Sequence, residues 1–270
     1  MVQDLRTYIP PEKKRHAKRY VVNVPVAPLL RIGSAKSAVE TQLLYGTQFL
    51  VCQVSRGWAW GQEVSPIKGS NVKGYVGFVK AKQLSENTFK PSHVVSSLKA
   101  PVFKGRDIKS PILTYLHLGA GLKGKYKAEF LETELGFVHK LHIGNISVES
   151  GDYVMVAESH AGLPYVWGGI SSDGLDCSGL VQASLRSIGQ DAPRDSDMQA
   201  KMGKEVTRKQ GLKRGDLVFW KGHVGIMQSA SKIIHANAYH MKVESELLST
   251  AIKRIKEKSG PITAIRRLEF

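Results

Sequence analysis

The hydrophobic pattern of this chain changes near residue 150, and the change limits what the chain can fold into. Upstream, short apolar runs rich in Val, Tyr and Trp are separated by Gly and Pro, which is typical of β-strands joined by turns. Downstream, apolar residues first recur at helical spacing and then form further strand-like runs. Besides a helix near the centre of this region, we predict helices over residues 153–161 and 245–258. The 270 residues are enough for two or three small domains. We therefore predict an all-β region followed by an α+β domain.

The all-β region divides into two similar segments, residues 20–86 and 92–144. They close on related sequences, Gly-Phe-Val-Lys at 77–80 and Gly-Phe-Val-His at 136–139, which indicates a tandem duplication. In the order of its runs the first segment resembles bacterial SH3-like domains, and the second resembles a weaker copy that lacks the Trp pair of the first. The resemblance implies two small all-β SH3-like barrels. Residues 1–19, which end in a basic run, are predicted to be a flexible arm.

A cysteine in a glycine-rich stretch is the candidate nucleophile. Cys177 follows Gly-Gly at 168–169, and four apolar residues at helical spacing between 180 and 188 predict a helix that begins at the cysteine. A thiol in the first turn of a helix lies at the positive end of the helix dipole, and we expect this position to lower its pKa. A buried structural cysteine is the alternative, since cysteine is among the most buried residue types.

Two histidines downstream of the cysteine are candidate partners for it. His223 begins a strand after a two-residue turn, and His235 lies on the next strand-like run. Neighbouring antiparallel strands bring such side chains together, and an activated nucleophile needs both a base and a group that orients the base. Asn237 shares a face with His235 and is an alternative orienting residue, whereas His240 is predicted to lie at the surface.

These residues and the motifs around them resemble the NlpC family of papain-like cysteine peptidases. The resemblance implies an α+β papain-like domain over residues 150–270 that hydrolyses bacterial cell-wall peptides between D-γ-glutamate and the following diamino acid. It implies Cys177 as nucleophile, His223 as general base and His235 as third polar residue. The motifs are PYVWGG at 164–169, GLDCSGLV at 174–181, PRDS at 193–196, RGDLVFW at 214–220, GHVGI at 222–226 and IHA at 234–236.

The pairing with two SH3-like segments is similar to the γ-D-glutamyl-L-diamino acid endopeptidases, of the dipeptidyl-peptidase VI type, which trim free wall peptides during recycling. In that branch the first SH3-like domain restricts the cleft to peptides with a free N-terminal L-Ala. The resemblance implies that Tyr165 contacts the oxyanion beside the Cys177 N–H, a packed aromatic being the alternative. It implies that Asp195 binds the amine, a helix cap being the alternative. The residues implied around the substrate are Trp167, Asp176, Ser178, Asp195 and Ser196, with Glu40, or Trp58 and Trp60, from the first β-segment.

The composition limits the classes of partner. The net charge of +16 is spread along the chain without an aromatic–basic repeat, so we interpret it mainly as solvated surface and expect no nucleic-acid partner. The charge is also consistent with the anionic wall peptide that the resemblance implies. The two cysteines do not form a disulfide framework, and Cys52 lies in a strand-like run of the core. We expect no metal, because the Cys and His residues lack zinc-site spacing, and no other cofactor.

The N-terminal sequence bears on the compartment. It has no apolar stretch of signal-peptide length, and no later segment is apolar enough to span a membrane, so we expect a cytoplasmic protein. We also expect a monomer. The alternatives are a secreted endopeptidase that acts on intact peptidoglycan, a non-catalytic protein that binds wall peptides, and acyl transfer by the same fold.

Overall fold

The structure, a computed structural model, describes residues 4–145 and 151–270. The chain forms two compact units, Met1–Glu149 and Ser150–Phe270. The division falls where the hydrophobic pattern changes.

The first half of the first unit is one antiparallel sheet whose strands alternate between buried and more exposed side chains. Its elements are α1 (Pro11–Lys14), β1 (Lys18–Val22), β2 (Val26–Leu30), β3 (Val39–Leu44), β4 (Gln48–Ser55), β5 (Trp58–Glu63), β6 (Val76–Lys80), a 3₁₀ turn (Ala81–Gln83) and β7 (Leu84–Ser85). The strand order is β3-β2-β6-β5-β4-β1-β7.

The second half of this unit repeats the architecture of the first. Its elements are β8 (His93–Val95), β9 (Lys99–Phe103), β10 (Ile112–His117), β11 (Gly121–Leu122), β12 (Lys125–Lys127), β13 (Phe130–Thr133), β14 (Gly136–His139), a 3₁₀ turn (Lys140–His142) and β15 (Ile143–Gly144). The orders are β10-β9-β14-β13-β12 and β11-β8-β15, which match the first half if β11 and β12 together replace β4. Equivalent turns make equivalent bonds: Gly46 N–H donates to Val22 O, and Gly119 N–H donates to Val95 O. These features fit a duplication, and that the copies are SH3-like barrels stays a prediction.

The described part of residues 1–19 is not a flexible arm. Ile9 is only 1% exposed, and burial of such a side chain contributes about 1.5–3 kcal/mol. Gln62 Nε2 donates to Thr7 O at 2.8 Å, and Val76 N–H donates to Arg6 O at 2.8 Å. The segment therefore packs against the first sheet before β1 begins at Lys18.

The second unit is a six-stranded antiparallel sheet with helices on both faces. Its elements are α2 (Tyr153–Ser159), β16 (Ile170–Ser171), β17 (Gly174–Leu175), α3 (Cys177–Arg186), α4 (Ser196–Gln199), β18 (Lys204–Glu205), a 3₁₀ turn (Arg208–Gln210), β19 (Leu217–Trp220), β20 (His223–Met227), β21 (Lys232–Asn237), β22 (Lys242–Leu247), α5 (Leu248–Ser259) and β23 (Ala264–Arg267). The strand order is β18-β23-β19-β20-β21-β22, and β16 and β17 form a separate hairpin.

Alternation along β19 shows how this sheet is covered. Leu217 and Phe219 are buried with α2 and α3 on one face. Val218 and Trp220 are buried with α5 on the other. Both faces are therefore apolar, and α3 is held against β20 and β21, the strands that carry the two candidate histidines.

The predicted helices at 153–161 and 177–188 are confirmed as α2 and α3. The helix predicted over 245–258 is wrong at its start. Residues 245–247 belong to β22, which pairs with β21 over six residues, and α5 begins only at Leu248. β22 was not predicted, because its alternating residues run directly into the helical pattern of α5.

The positive charge is uneven between the units, contrary to the expectation from sequence. Residues 1–149 hold 22 Lys or Arg and 10 Asp or Glu, a net charge of +12, whereas residues 150–270 hold 17 and 13, a net charge of +4. Among the described residues, no helix has the length and apolarity needed to cross a membrane.

Candidate active site

Cys177 is the first residue of α3, and the backbone around it is closely packed. Asp176 caps the helix, with its Oδ1 accepting from Gly179 N–H at 2.7 Å. A Cβ at Gly179 would lie 2.1 Å from Gly169 O, so only glycine allows the preceding loop to lie against the first turn. The glycine-rich sequence therefore fixes the position of the thiol.

Asp176 and Arg194 form a buried ion pair beneath this loop. Arg194 donates to both carboxylate oxygens, at 2.9 and 2.6 Å, and to Ser178 Oγ at 2.9 Å. Asp176 also accepts from Gly168 N–H at 2.9 Å. These contacts show that Asp176 and Ser178 support the loop before the nucleophile, and their contact with substrate stays a prediction.

The environment of Cys177 raises its pKa, contrary to the expectation from the helix dipole. Burial is the main cause, the charge of Asp176 adds to it, and together they raise the pKa to about 12. The backbone N–H groups of Val224 and Ser178 hydrogen-bond to the sulfur and only partly offset this rise. In the free protein the thiol is therefore neutral near pH 7.

His223, His235 and Glu246 form a continuous line of hydrogen bonds. His223 Nε2 lies 2.8 Å from His235 Nδ1, and His235 Nε2 lies 2.8 Å from Glu246 Oε1. The turn before His223 uses Gly222 at φ 72°, a conformation that glycine adopts without strain. The structure thus brings the two predicted histidines together.

Burial lowers the pKa of both histidines. For His223 the pKa falls to about 3, with burial the largest cause and the neighbouring His235 the next. For His235 burial also lowers the pKa, although its bond to Glu246 acts in the opposite direction. Both rings are therefore neutral at pH 7, and His223 is able to accept a proton.

Glu246 and Arg254 are residues of this site that the sequence analysis missed. Arg254 on α5 donates to Glu246 Oε1 and lies over the ring of Tyr239, 4.4 Å from its centroid. Glu246 was placed in the wrongly predicted helix. The alternation of Val243 with the flanking charged residues was the available signal for a strand there.

The same region contains a group with metal-ligand chemistry. Ligand atoms of His235, His240 and Glu246 lie within 4.8 Å of one another. Because His235 and Arg254 already bind the carboxylate of Glu246, we assign these groups to the hydrogen-bond network.

Asn237, the alternative orienting residue, is used elsewhere. Its Oδ1 accepts from His240 N–H at 2.9 Å and lies 3.0 Å from His240 Nδ1. The geometry therefore favours His235 over Asn237 as the partner of His223. His240 is half-buried, not a fully exposed surface residue.

The remaining residues expected around the substrate differ in exposure. Tyr165 is half-buried; burial first and then the charge of Cys177 raise its pKa to about 12, so its hydroxyl stays a donor. Trp167 is 71% exposed. Asp195 occupies the N-cap position of α4 without a side-chain capping bond, and Ser196 is buried in the first turn.

Glu40, Trp58 and Trp60 lie in the first unit. Glu40, on β3, is ion-paired with Arg31. Both tryptophans lie on β5 with lysine ammonium groups over their rings, at 6.0 Å for Trp58 and 5.2 Å for Trp60.

Comparison with known proteins adds independent information about this site. Residues 162–257, which include both histidines and the cysteine, match the NlpC/P60 family. The chain is 31% identical over 250 residues to the gamma-D-glutamyl-L-lysine dipeptidyl-peptidase of Bacillus subtilis (strain 168), covering 86% of this chain and 81% of that protein. It is 27% identical to the protein of the same name from Bacillus cereus, covering 78% of this chain and 71% of that protein.

A solved structure shows the same fold. The crystal structure of an NlpC/P60 family protein from Bacillus cereus matches 93% of this chain and 99% of its own, with a TM-score of 0.77 and 21% identity.

Proposed function

The chain belongs to the NlpC/P60 family of cysteine peptidases, and on this premise we propose that it cleaves the γ-D-glutamyl–diamino acid bond of peptidoglycan-derived peptides during cell-wall recycling. The observation that carries the proposal is the His223–His235 pair, on strands that pack against α3, the helix that begins at Cys177. The backbone N–H of Val224, the residue after His223, hydrogen-bonds to the Cys177 sulfur. The nucleophile is therefore in contact with the strand that carries the proposed base.

The first half of the reaction forms a tetrahedral adduct on Cys177. The sulfur attacks the γ-carbonyl carbon of D-glutamate while His223 takes the thiol proton. Starting from a neutral thiol and a neutral imidazole, this transfer accompanies attack. The backbone N–H of Cys177 and the hydroxyl of Tyr165 are the groups we assign to the oxyanion.

The second half releases both products. The imidazolium of His223 returns the proton to the nitrogen of the diamino acid as the C–N bond breaks, which leaves a thioester on Cys177. Water, deprotonated by His223, then attacks the thioester carbonyl and regenerates the thiol.

The substrate assignment rests on chemistry and on the relatives' names. A free N-terminal ammonium needs an anionic partner, and we assign this role to the carboxylate of Asp195, at the N-cap position of α4. Trp167 offers an exposed ring for the peptide backbone or side chains. The names of the two Bacillus relatives favour L-lysine after the glutamate.

Cleavage of two peptides tests the proposal. Purified protein is incubated with L-Ala-γ-D-Glu-L-Lys and with its N-acetylated form, and the products are followed by mass. Release of L-Ala-D-Glu from the free peptide alone is expected. Equal cleavage of both would refute selection for the amine, and cleavage of intact sacculi would favour a wall hydrolase. No turnover of any of these would favour a binding protein. Cell fractionation tests the cytoplasmic location that recycling requires.

A further inference from the structure

Glu246 lies at the end of the hydrogen-bond line that begins at His223. We infer that Glu246 is a positioning residue that fixes the proton arrangement of the His223–His235 pair, so that Nδ1 of His223 is the free base. The inference deepens the proposed peptidase function and rests on it. Glu246 itself touches neither the thiol nor His223 in the bonds that the structure shows.

The carboxylate of Glu246 determines the first proton position. An ionised Glu can only accept hydrogen bonds, so the proton between Glu246 and His235 must be on His235 Nε2. A neutral imidazole carries one proton, and therefore Nδ1 of His235 is an acceptor. The proton between the rings must then be on His223 Nε2.

These proton positions determine which ring nitrogen of His223 can act as the base. Since Nε2 of His223 holds the proton shared with His235, Nδ1 of His223 carries none and is the only ring nitrogen left for the Cys177 thiol. Each proton position is thus set by the acceptor-only group at the end of the line.

The surrounding charges keep Glu246 in that acceptor-only form. Arg254 from α5 ion-pairs with it and stacks on Tyr239. Burial alone would raise the pKa of Glu246, but its bonds and charge interactions with His235 and Arg254 lower the pKa overall. His240, after β21, also faces this line, and its charge lowers the pKa of His235. With Arg254 fixed on α5, the carboxylate stays ionised across the pH range in which the peptidase would work.

Removal of the negative charge of Glu246 would leave the proton positions on the two histidines unfixed. In Glu246→Gln the amide can donate as well as accept, so His235 is free to place its proton on Nδ1. Nδ1–H of His235 would then donate to His223 Nε2, and the proton of His223 would move to Nδ1. In that form His223 cannot take the proton of Cys177.

Glu246→Gln with Glu244→Gln as matched control tests the inference in the full chain. Glu244 lies on the same strand, loses the same charge, and pairs with Lys242 at 2.6 Å. For Glu246→Gln we expect a kcat at least about tenfold lower with KM changed less than about twofold. Glu244→Gln should leave both near wild type. Because the charge of Glu246 raises the pKa of His223, the acid limb of kcat/KM should move to lower pH in the Gln variant.

Nitrogen-15 NMR of the histidine rings gives a readout that does not depend on turnover. In the wild type, both His223 and His235 should carry their proton on Nε2, and Glu246→Gln should show a mixture. A wild-type spectrum with the proton on Nδ1 of either ring would overturn the inference, as would wild-type kinetics in Glu246→Gln. If the wild type cleaves no peptide, the proposed function fails, and the NMR result still decides whether Glu246 sets the proton positions.

Discussion

Replacement of Arg194 by Met tests whether the buried ion pair supports both the fold and the nucleophile. The side chains of Arg194 and Asp176 are 3% and 10% exposed. Arg194→Met removes the guanidinium and keeps an apolar side chain of similar length. The carboxylate of Asp176 then remains buried without its counter-charge.

The expected loss of stability depends on the hydrogen bonds that Asp176 retains in Arg194→Met. Breaking a buried ion pair by removal of one partner costs about 3–5 kcal/mol. Asp176 would still accept from Gly168 N–H at 2.9 Å, Gly179 N–H at 2.7 Å and Ser178 Oγ at 3.3 Å. We therefore expect the low end, about 3 kcal/mol, which lowers the Tm of the second unit by about 10 °C. Activity should fall as well, because Gly168 and the start of α3 share this carboxylate.

Thermal unfolding of the full chain measures this loss. Fluorine labelling of tryptophan resolves the buried Trp220 of the second unit, so its transition is followed separately. Lys204→Met is the control, since its ion pair with Glu269 has side chains 73% and 59% exposed, and its Tm should stay close to wild type. Asp176→Asn added to Arg194→Met should recover part of the loss, because no unpaired charge remains. A Tm for Arg194→Met equal to that of Lys204→Met would refute the reasoning.

Two further results depend on the shifted pKa values. The folded-state pKa values of His160, His223 and His235 lie below the ordinary value of 6.5. The unfolded chain therefore binds more protons, and stability is lost as pH falls below about 6.5, by about 1.4 kcal/mol per pH unit for each such group. The Tm of the second unit should drop steadily towards pH 4, with a smaller slope in His223→Gln; a flat profile would contradict the burial of neutral imidazoles. In a Cys52→Ser background, the rate of Cys177 alkylation by iodoacetamide should still be rising at about pH 9, because its pKa is raised to about 12. A plateau below pH 7 would instead indicate a thiolate already formed.

The elements that carry the chemistry were predictable because their signals are local. Apolar spacing after Cys177 gave α3, and the two-residue turn with Gly222 gave the hairpin that presents His223. The pairing of His223 with His235 followed from the proximity of adjacent strands.

What sequence reasoning missed depends on contacts between distant residues. The thiol was expected to have a lowered pKa, because its helix position is visible in sequence while its burial, the largest cause of the raised pKa, is not. The support that Asp176 gives to this loop was not predicted, because its partner Arg194, 18 positions away, is recognisable only in the fold. Glu246 was not recognised as a site residue, because the helix predicted over 245–258 covered the end of β22.

The acyl-enzyme is the most direct test of the central claim, that Cys177 is the nucleophile of a γ-D-glutamyl peptidase. The protein is mixed with L-Ala-γ-D-Glu-L-Lys, stopped with acid within the first turnover, and digested for peptide mapping by mass. We expect an L-Ala-D-Glu acyl group on the peptide that contains Cys177, with lysine released in equal amount, and neither product from Cys177→Ala. Lysine release by Cys177→Ala, or an acyl group on Cys52 alone, would contradict the account.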